Sequence, residues 1–452
     1  MLVVSAVVAL VATGCKKRGA ESAPSPAPST SSLASARAPA EPATATVRFE
    51  RFVDAHAHPK EGLVQVAGVT RDGAVVLVDY DASLAVKARH DLAQGFVAGD
   101  STRVSLEPGG LVVANGKLGD EPQTWLLQEG AAPRAMSPEW CETDQGVAWL
   151  QRDDAGVRVH FVRRAPPAID ATSALVGAPT SLAFLDCSAA LVVVSLSENE
   201  RRLLVRLSPS APDFATQKPT PIEVEGPDDH AEDQRELRVI PRADEVAVLF
   251  VGEQGAVSMR LLRAGQSAPT PWITPTLPAE AGKPQKPFSY AFENDIVETS
   301  TAATAGGPLF LLSNEPMPPG GSCPPSTEPV RTVLYTFGFD AAGKGASVVT
   351  RPIVELPCGV DAIPAHLDAD ASVAHVWWTE PVEDASCAEA GLGIGAILEA
   401  ASDRPGARRS KILAEAVVRL EDGRYLAVVR SGGCAPYAAP GNGALVVAPA
   451  PK

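Results

Sequence analysis

Residues Val147–Arg164 read VAWLQRDDAGVRVHFVRR. Val147 and Trp149 alternate with Ala148 and Leu150, a polar turn ends in Gly156, and Val157, Val159 and Phe161 then alternate with Arg158, His160 and Val162. Period-two alternation on both sides of an acidic turn marks a β-hairpin. The pattern returns at Val193–Ser208, with Leu203, Val205 and Leu207, and at Ala247–Arg263, with Val257, Met259 and Leu261. A hairpin of this kind exposes an apolar face when alone, so a chain that repeats it must stack the copies to bury them.

Further strand-like runs centre on Val75–Val78, Leu111–Ala114, Leu191–Leu196, Leu309–Leu312, Val373–Trp378 and Tyr425–Val429, most of them followed by a turn and a second alternating strand. No regular alternation of strands with amphipathic helices is present, which argues against a parallel α/β barrel. Ile394–Ala401 is the best helix candidate, and it also reads as a strand. Pro (41) and Gly (37) are spread along the chain, favouring many short strands and turns. The expected fold is all-β: a β-propeller of about seven four-stranded blades, with six or eight inside the softness of blade boundaries. Residues 47–452 are expected to form one closed array, with Val147, Val193 and Ala247 in equivalent positions. The C-terminal strand Ala444–Ala448 is expected to pair in the blade of the first strands and so remove the free edges.

The chain has 452 residues and a formal net charge of −15. An acidic surface repels phosphate backbones, so nucleic acid is not an expected partner.

Leu2–Ala12, LVVSAVVALVA, is shorter than the roughly 20 apolar residues that span a bilayer, and suits a signal-peptide core. It ends in Ala12-Thr13-Gly14-Cys15, which resembles a bacterial lipobox. The resemblance implies that residues 1–14 are removed and that Cys15 is lipidated. No Lys or Arg precedes the apolar run, while Lys16, Lys17 and Arg18 follow it, so a basic segment further upstream is expected. Residues 15–46 are the lipidated Cys and a linker, within which Gly19–Thr46 is rich in Ala, Pro, Ser and Thr and reads as a disordered tether with an extended reach on the order of 80 Å. The implied setting is export and lipid anchoring in a bacterial envelope, at the outer membrane, on either of its sides.

Beside Cys15 stand Cys141, Cys187, Cys323, Cys358, Cys387 and Cys434. An even set in an exported chain reads as three disulfides, and none of the six forms the C-x-x-C of a zinc ribbon or a thioredoxin. The expected pairs are Cys141–Cys187, Cys323–Cys358 and Cys387–Cys434, since sequential partners fall within one blade period and hence in the same or adjacent blades.

The stretch VAWLQ and Arg202–Phe214, RLLVRLSPSAPDF, resemble the blades of bacterial sialidase-like propellers, where such strands lead to an Asp-box. The likeness runs loosely over residues 60–450. The Asp-box S-x-D-x-G-x-T-W is not intact; Ser208–Phe214 and Gly265–Trp272 are decayed forms. The family's arginine triad, Tyr–Glu pair and acid find no matching positions, so the resemblance implies a fold and not an activity.

Asp54, His56 and His58, in FVDAHAHP, resemble the first-strand D-x-H-x-H of amidohydrolase-type enzymes, where two histidines hold a zinc that activates water. The partner histidines of that chemistry sit at later strand ends of βα units, which this chain lacks. His90, His160, His230, His366 and His375 remain as isolated residues. Pro227–Glu236, PDDHAEDQRE, is carboxylate-rich without EF-hand spacing, a candidate calcium loop that also reads as a solvated one. No G-x-S-x-G, P-loop, G-x-G-x-x-G or H-E-x-x-H occurs. The expectation is no catalytic residue and no cofactor, with Ca²⁺ or Zn²⁺ as the candidate ions.

Two functions follow. The first is a non-catalytic binding or scaffold propeller recognising a protein or a glycan. The alternative is a hydrolase: a sialidase-like glycosidase, or a metal-dependent enzyme built on Asp54, His56 and His58. Acids converging with Arg or His at the channel mouth would favour the enzyme; aromatics and loops there would favour the binding module.

Overall fold

Each apolar strand of the repeat serves two neighbours at once, and this determines the architecture. The computed structural model describes residues 47–448, except 59–61, 82–84, 100–101, 165–167, 199–200, 210–213, 225–235, 243–244, 252–255, 264–265, 279–285, 289–294, 302–306, 317–329, 341–343, 356–365, 371–372, 382–394, 421–424, 431–442 and the single positions 48, 71, 108, 120, 189, 267, 405 and 415. The chain divides into two units, Met1–Ala43 and Thr44–Lys452, and all described residues belong to the second.

Among the described residues there are eight antiparallel sheets. Each is a meander of strands consecutive in sequence, and these are the blades of a β-propeller. In order they start at Phe49, Phe96, Trp140, Leu182, Glu236, Asp295, His366 and Ala416. Eight is the upper end of the range expected from the sequence. In the second blade the innermost strand is broken into Phe96–Val97 and Val104–Glu107, both on the same neighbour, Leu111–Leu118. In the fifth blade three strands are followed by a single bridge, Met259 to Ile273. Ile394–Ala401 contains the strand Gly395–Ala401, not a helix.

The third blade shows how the sequence builds the stack. Gly146–Asp153 and Gly156–Arg163 pair antiparallel, from Val147 opposite Val162 to Asp153 opposite Gly156. The turn is held by the Asp153 carboxylate, whose Oδ1 accepts the amides of Ala155 and Gly156 at 2.9 and 3.0 Å. Val147 and Trp149 pack against Leu111, Val113 and Leu126 of the second blade. Ala148 and Leu150 pack against Val192, Val194 and Leu196 of the fourth. Alternation here separates the blade before from the blade after, rather than core from solvent, so these central strands are buried on both faces. Val193 and Ala247 both face the following blade. Val147 faces the preceding one, so Ala148 is the equivalent position and the expected register is shifted by one residue, which in a period-two strand exchanges the faces.

Similar clusters fill the other seams. Leu77 and Val75 meet Leu106 and Val112 between the first and second blades; Leu249 and Met259 meet Leu311 and Tyr335 between the fifth and sixth; Phe310 and Leu334 meet Val376 and Trp378 between the sixth and seventh. Arginines clamp the seams as well. Arg152 donates to the Ser181 carbonyl at 2.7 Å, Arg206 to those of Arg263 and Gln266 at 2.7 Å each, and Arg351 to those of Ala401 and Arg404. Trp377 and Trp378, adjacent on one strand, are both buried.

Closure differs from the expectation. The last strand, Gly443–Ala448, pairs with Tyr425–Arg430 of its own blade, not with the first blade. The ring closes by packing: Gly443–Ala448 and Ala416–Arg419 lie beside Phe49–His58, and Leu420 is buried among Val47, Phe49 and Val66. Side-by-side packing suffices because the unit shared around the ring is the buried face of a sheet, not its edge.

Cys141 and Cys187 form a disulfide, with Cα atoms 5.6 Å apart. It joins the innermost strands of the third and fourth blades, Trp140–Thr143 and Leu182–Cys187, as the sequential pairing anticipated. Cys323, Cys358, Cys387 and Cys434, and Cys15, lie outside the described residues.

Gly146 opens its strand because nothing larger fits there. A Cβ on it would stand 2.0 Å from the Val162 carbonyl oxygen, a backbone atom that the pairing holds fixed. Gly146→Ala is expected to cost about 2 kcal/mol through forced backbone displacement. Denaturant titration of the full chain checks this; an unchanged midpoint would contradict it.

Candidate functional site

The residues singled out in sequence are separated by the fold. Asp54 lies on the innermost strand of the first blade, and its Oδ2 accepts the Leu106 amide of the second blade at 2.7 Å. Its Oδ1 accepts the Ala55 amide at 2.8 Å. The carboxylate therefore works as a seam clamp. His56 and His58 continue the same strand, opposite Gln65 and Leu63, and their side chains lie outside the described residues. The acidic loop 227–235 lies outside them too. Among the described residues no group of three or more His, Cys, Asp and Glu is placed to hold a metal ion.

His366 sits on the innermost strand of the seventh blade, its ring stacked on Trp377 at 5.6 Å. It is open to water, yet protein crowds it. That crowding holds its pKa below the ordinary histidine range, against the pull of Asp54. His160 is enclosed more tightly. Its ring lies on Trp149 with centroids 4.3 Å apart, Nε2 meets Asp170 at 2.7 Å, and Nδ1 meets the Thr172 hydroxyl at 2.8 Å. Arg134 of the second blade bonds Asp170 at 3.1 Å and lies over Trp149 at 5.6 Å. Burial lowers the His160 pKa, Asp170 opposes this and Arg134 adds to it. Every partner in this group is engaged by another, which makes it a joint between two blades.

The decayed Asp-box positions serve packing as well. Phe214 meets Phe161 of the preceding blade at 5.8 Å. Trp272 meets Phe250 at 6.1 Å, with the Arg260 guanidinium over its ring at 4.5 Å.

The seam between the fourth and fifth blades is different, because its packing stops partway. Val193, Leu204 and Leu191 bury against Val246, Val248 and Leu262. Two residues further along the strand, Ser195 and Ser197 take the places that apolar side chains would fill. The seam opens there into a cleft of about 450 Å³. Register builds its wall in two rows, Leu182, Ser197 and Arg202, then Phe184, Ser195 and Leu204, and Asp186 follows in the next row, opposite Val193 of the packed cluster. Leu182 and Phe184 are 57% and 55% exposed, large apolar groups held open to water. Arg238 enters from the innermost strand of the fifth blade, Glu236–Arg242.

Asp186 lies in the cleft without a hydrogen-bond partner among the described residues, and burial pushes its carboxyl up to about 6, with Arg238 pulling it back. The Ser195 hydroxyl beside it is also buried without a hydrogen-bond partner. A half-buried acid without a hydrogen-bond partner among the described residues and a buried, unsatisfied hydroxyl both cost stability, and a ligand in the cleft gives them a use. The wall is rigid as well, since Cys187, next to Asp186, is tied to the third blade. None of these residues stands out in sequence. The readable signal was the alternation Leu182, Phe184, Asp186, which puts two large apolar groups and an acid on one face of a strand.

No protein-family model matches the chain and no curated protein matches it. Solved structures with some likeness include the WD40 domain of SCAP from fission yeast, at 11% identity over 90% of this chain and 93% of that one, with a TM-score of 0.43. A second is the Dos1 propeller, at 9% identity over 90% and 94%, with a TM-score of 0.32. A third is a prolyl endopeptidase, at 12% identity over 86% of this chain and 56% of that one, with a TM-score of 0.41. The fold assignment rests on the strand order and the ring of seams described above.

Proposed function

We propose that this chain is an exported, lipid-anchored β-propeller of the bacterial envelope that binds a ligand without catalysing a reaction on it. The observation that carries the reading is the cleft between the fourth and fifth blades, walled by exposed Leu182 and Phe184 on a strand fixed by a disulfide. Rigid scaffolds that hold apolar side chains open to water beside a few unsatisfied polar groups are the ordinary form of a binding site. Of the two ligand classes considered, a protein suits this wall better than a glycan, because leucine and phenylalanine contacts reward apolar side chains. The tether of residues 15–46 would carry the propeller clear of the membrane while Cys15 holds it there.

Placing a photo-crosslinking residue at Leu182 in intact cells tests the binding role, with Val349, 54% exposed on the sixth blade, as the control position. Crosslinks to an envelope protein from position 182 and not from 349 are expected; equal yields, or none, would contradict the reading. The anchor is tested separately. Cys15→Ser is expected to abolish labelled palmitate uptake and release the protein from membranes, and retention of both would exclude lipidation at this residue.

A further inference from the structure

We propose that the cleft between the fourth and fifth blades recognises an amphipathic carboxylate, with Leu182 and Phe184 taking the apolar chain and Arg202 pairing with the carboxylate. The inference rests on the reading of this cleft as the ligand site and adds the chemistry of the ligand.

Arg202 is the reason. Its neighbours on the chain and its counterparts at other seams are engaged: Arg201 pairs with Glu223, Arg206 donates to the carbonyls of Arg263 and Gln266, and Arg152 donates to that of Ser181. The Arg202 guanidinium, half-buried in the cleft wall, has neither a hydrogen-bond nor an ion-pair partner among the described residues. It stands in one row with Ser197 and Leu182, so a cationic fork and an exposed apolar side chain lie side by side. A guanidinium so placed matches a carboxylate in both charge and shape.

The charge of the cleft points the same way. Among the described residues that line it, the cations are Arg202 and Arg238 and the acid is Asp186, in a chain whose formal net charge is −15. A local reversal of sign on an acidic protein concentrates anions. Asp186 adds selectivity. The charged groups nearest it are Arg206, in the same row of its own sheet, and Arg238 on the strand packed opposite, which is the one that acts on its titration. A carboxylate held by Arg202 in the same cleft adds negative charge to that of Asp186 and so favours its protonated form, in which the like-charge repulsion is gone. The volume suits a medium-length chain or one apolar side chain with its backbone carboxylate.

Two sources carry this chemistry, a fatty acid and the C-terminal residue of a peptide. Calorimetric titration of the full chain with octanoate, octanol, octylamine, the tripeptide Ala-Ala-Leu and its C-terminal amide separates them. Binding of Ala-Ala-Leu alone identifies a peptide terminus, in line with a protein ligand; binding of octanoate identifies a fatty acid, which supports the carboxylate chemistry and overturns the choice of a protein as the ligand. The uncharged partner of whichever binds is expected to be at least about tenfold weaker, and Arg202→Gln is expected to lose about tenfold. Arg201→Gln, which removes the exposed guanidinium that pairs with Glu223, is expected to leave binding unchanged. Affinity is expected to rise between pH 7.5 and 5.5 and to lose that dependence in Asp186→Asn. Equal binding of the neutral ligands, tighter binding of octylamine, affinity that falls with falling pH, or binding by neither carboxylate would overturn the proposal. If crosslinking from position 182 persists while no carboxylate binds, the ligand chemistry is wrong and the cleft stands; if both fail, the cleft reading fails with it.

Discussion

Replacing Cys141 and Cys187 with serine is expected to lower the stability of the propeller by about 4 kcal/mol, from the loop entropy released when a bridge across 46 residues is removed. In a chain of this length that is a fall of roughly 5 °C in melting temperature. The effect reaches beyond the third and fourth blades. The bond ties two innermost strands together, and in a closed ring a loosened seam weakens every blade that depends on closure. The change should therefore appear as a shift of one cooperative transition in differential scanning calorimetry, matched by adding reductant to the unmutated protein. A midpoint unmoved in both would show that blade packing alone holds this seam.

Asp186→Asn is expected to act in the opposite direction. The folded carboxyl titrates near 6, against an ordinary value of 3.8, so the native protein holds this proton to higher pH than the unfolded chain does. The sign follows from proton uptake. Between these two values the native state binds more protons, so stability falls as pH rises. The cost is absent below the lower value and complete above the higher one. The asparagine variant escapes that cost. It is expected to gain up to about 3 kcal/mol at pH 7.5 and nothing measurable at pH 3.5, read from denaturant midpoints at both pH values. Equal gains at both would show that the effect is packing and not ionisation. A residue that destabilises its own fold at neutral pH is characteristic of a binding site.

The strands were readable in sequence because their apolar alternation is strong, and the Cys141–Cys187 bond because sequential cysteines one blade apart fall at neighbouring seams. The facing of Val147 was misread for a physical reason: both faces of that strand are buried, so neither parity marks the inside, and only the packing partners assign it. The closing strand was misplaced because its apolar run is compatible with either sheet edge; pairing with Tyr425–Arg430 decides it. Asp54 was noticed for its company with His56 and His58, yet the fold spends its carboxylate on the Leu106 amide. The cleft was missed altogether. It exists because Ser195 and Ser197 interrupt a seam at the level of Leu182 and Phe184, and that coincidence depends on register between strands, which spacing along one chain does not display.

The central claim is that this seam is kept open for a ligand at the expense of packing. The variant Asp186→Asn, Ser195→Leu, Ser197→Leu fills much of it: the two leucines continue the Val193 and Leu204 cluster, and the asparagine removes the ionisable group. Because this variant is expected to be the more stable protein, loss of binding in it has no explanation in misfolding. The most direct measurement is its crosslinking yield from a photoreactive residue at Leu182 in intact cells. The account predicts a yield at least about tenfold below that of the same position in the unfilled protein; an undiminished yield would contradict it.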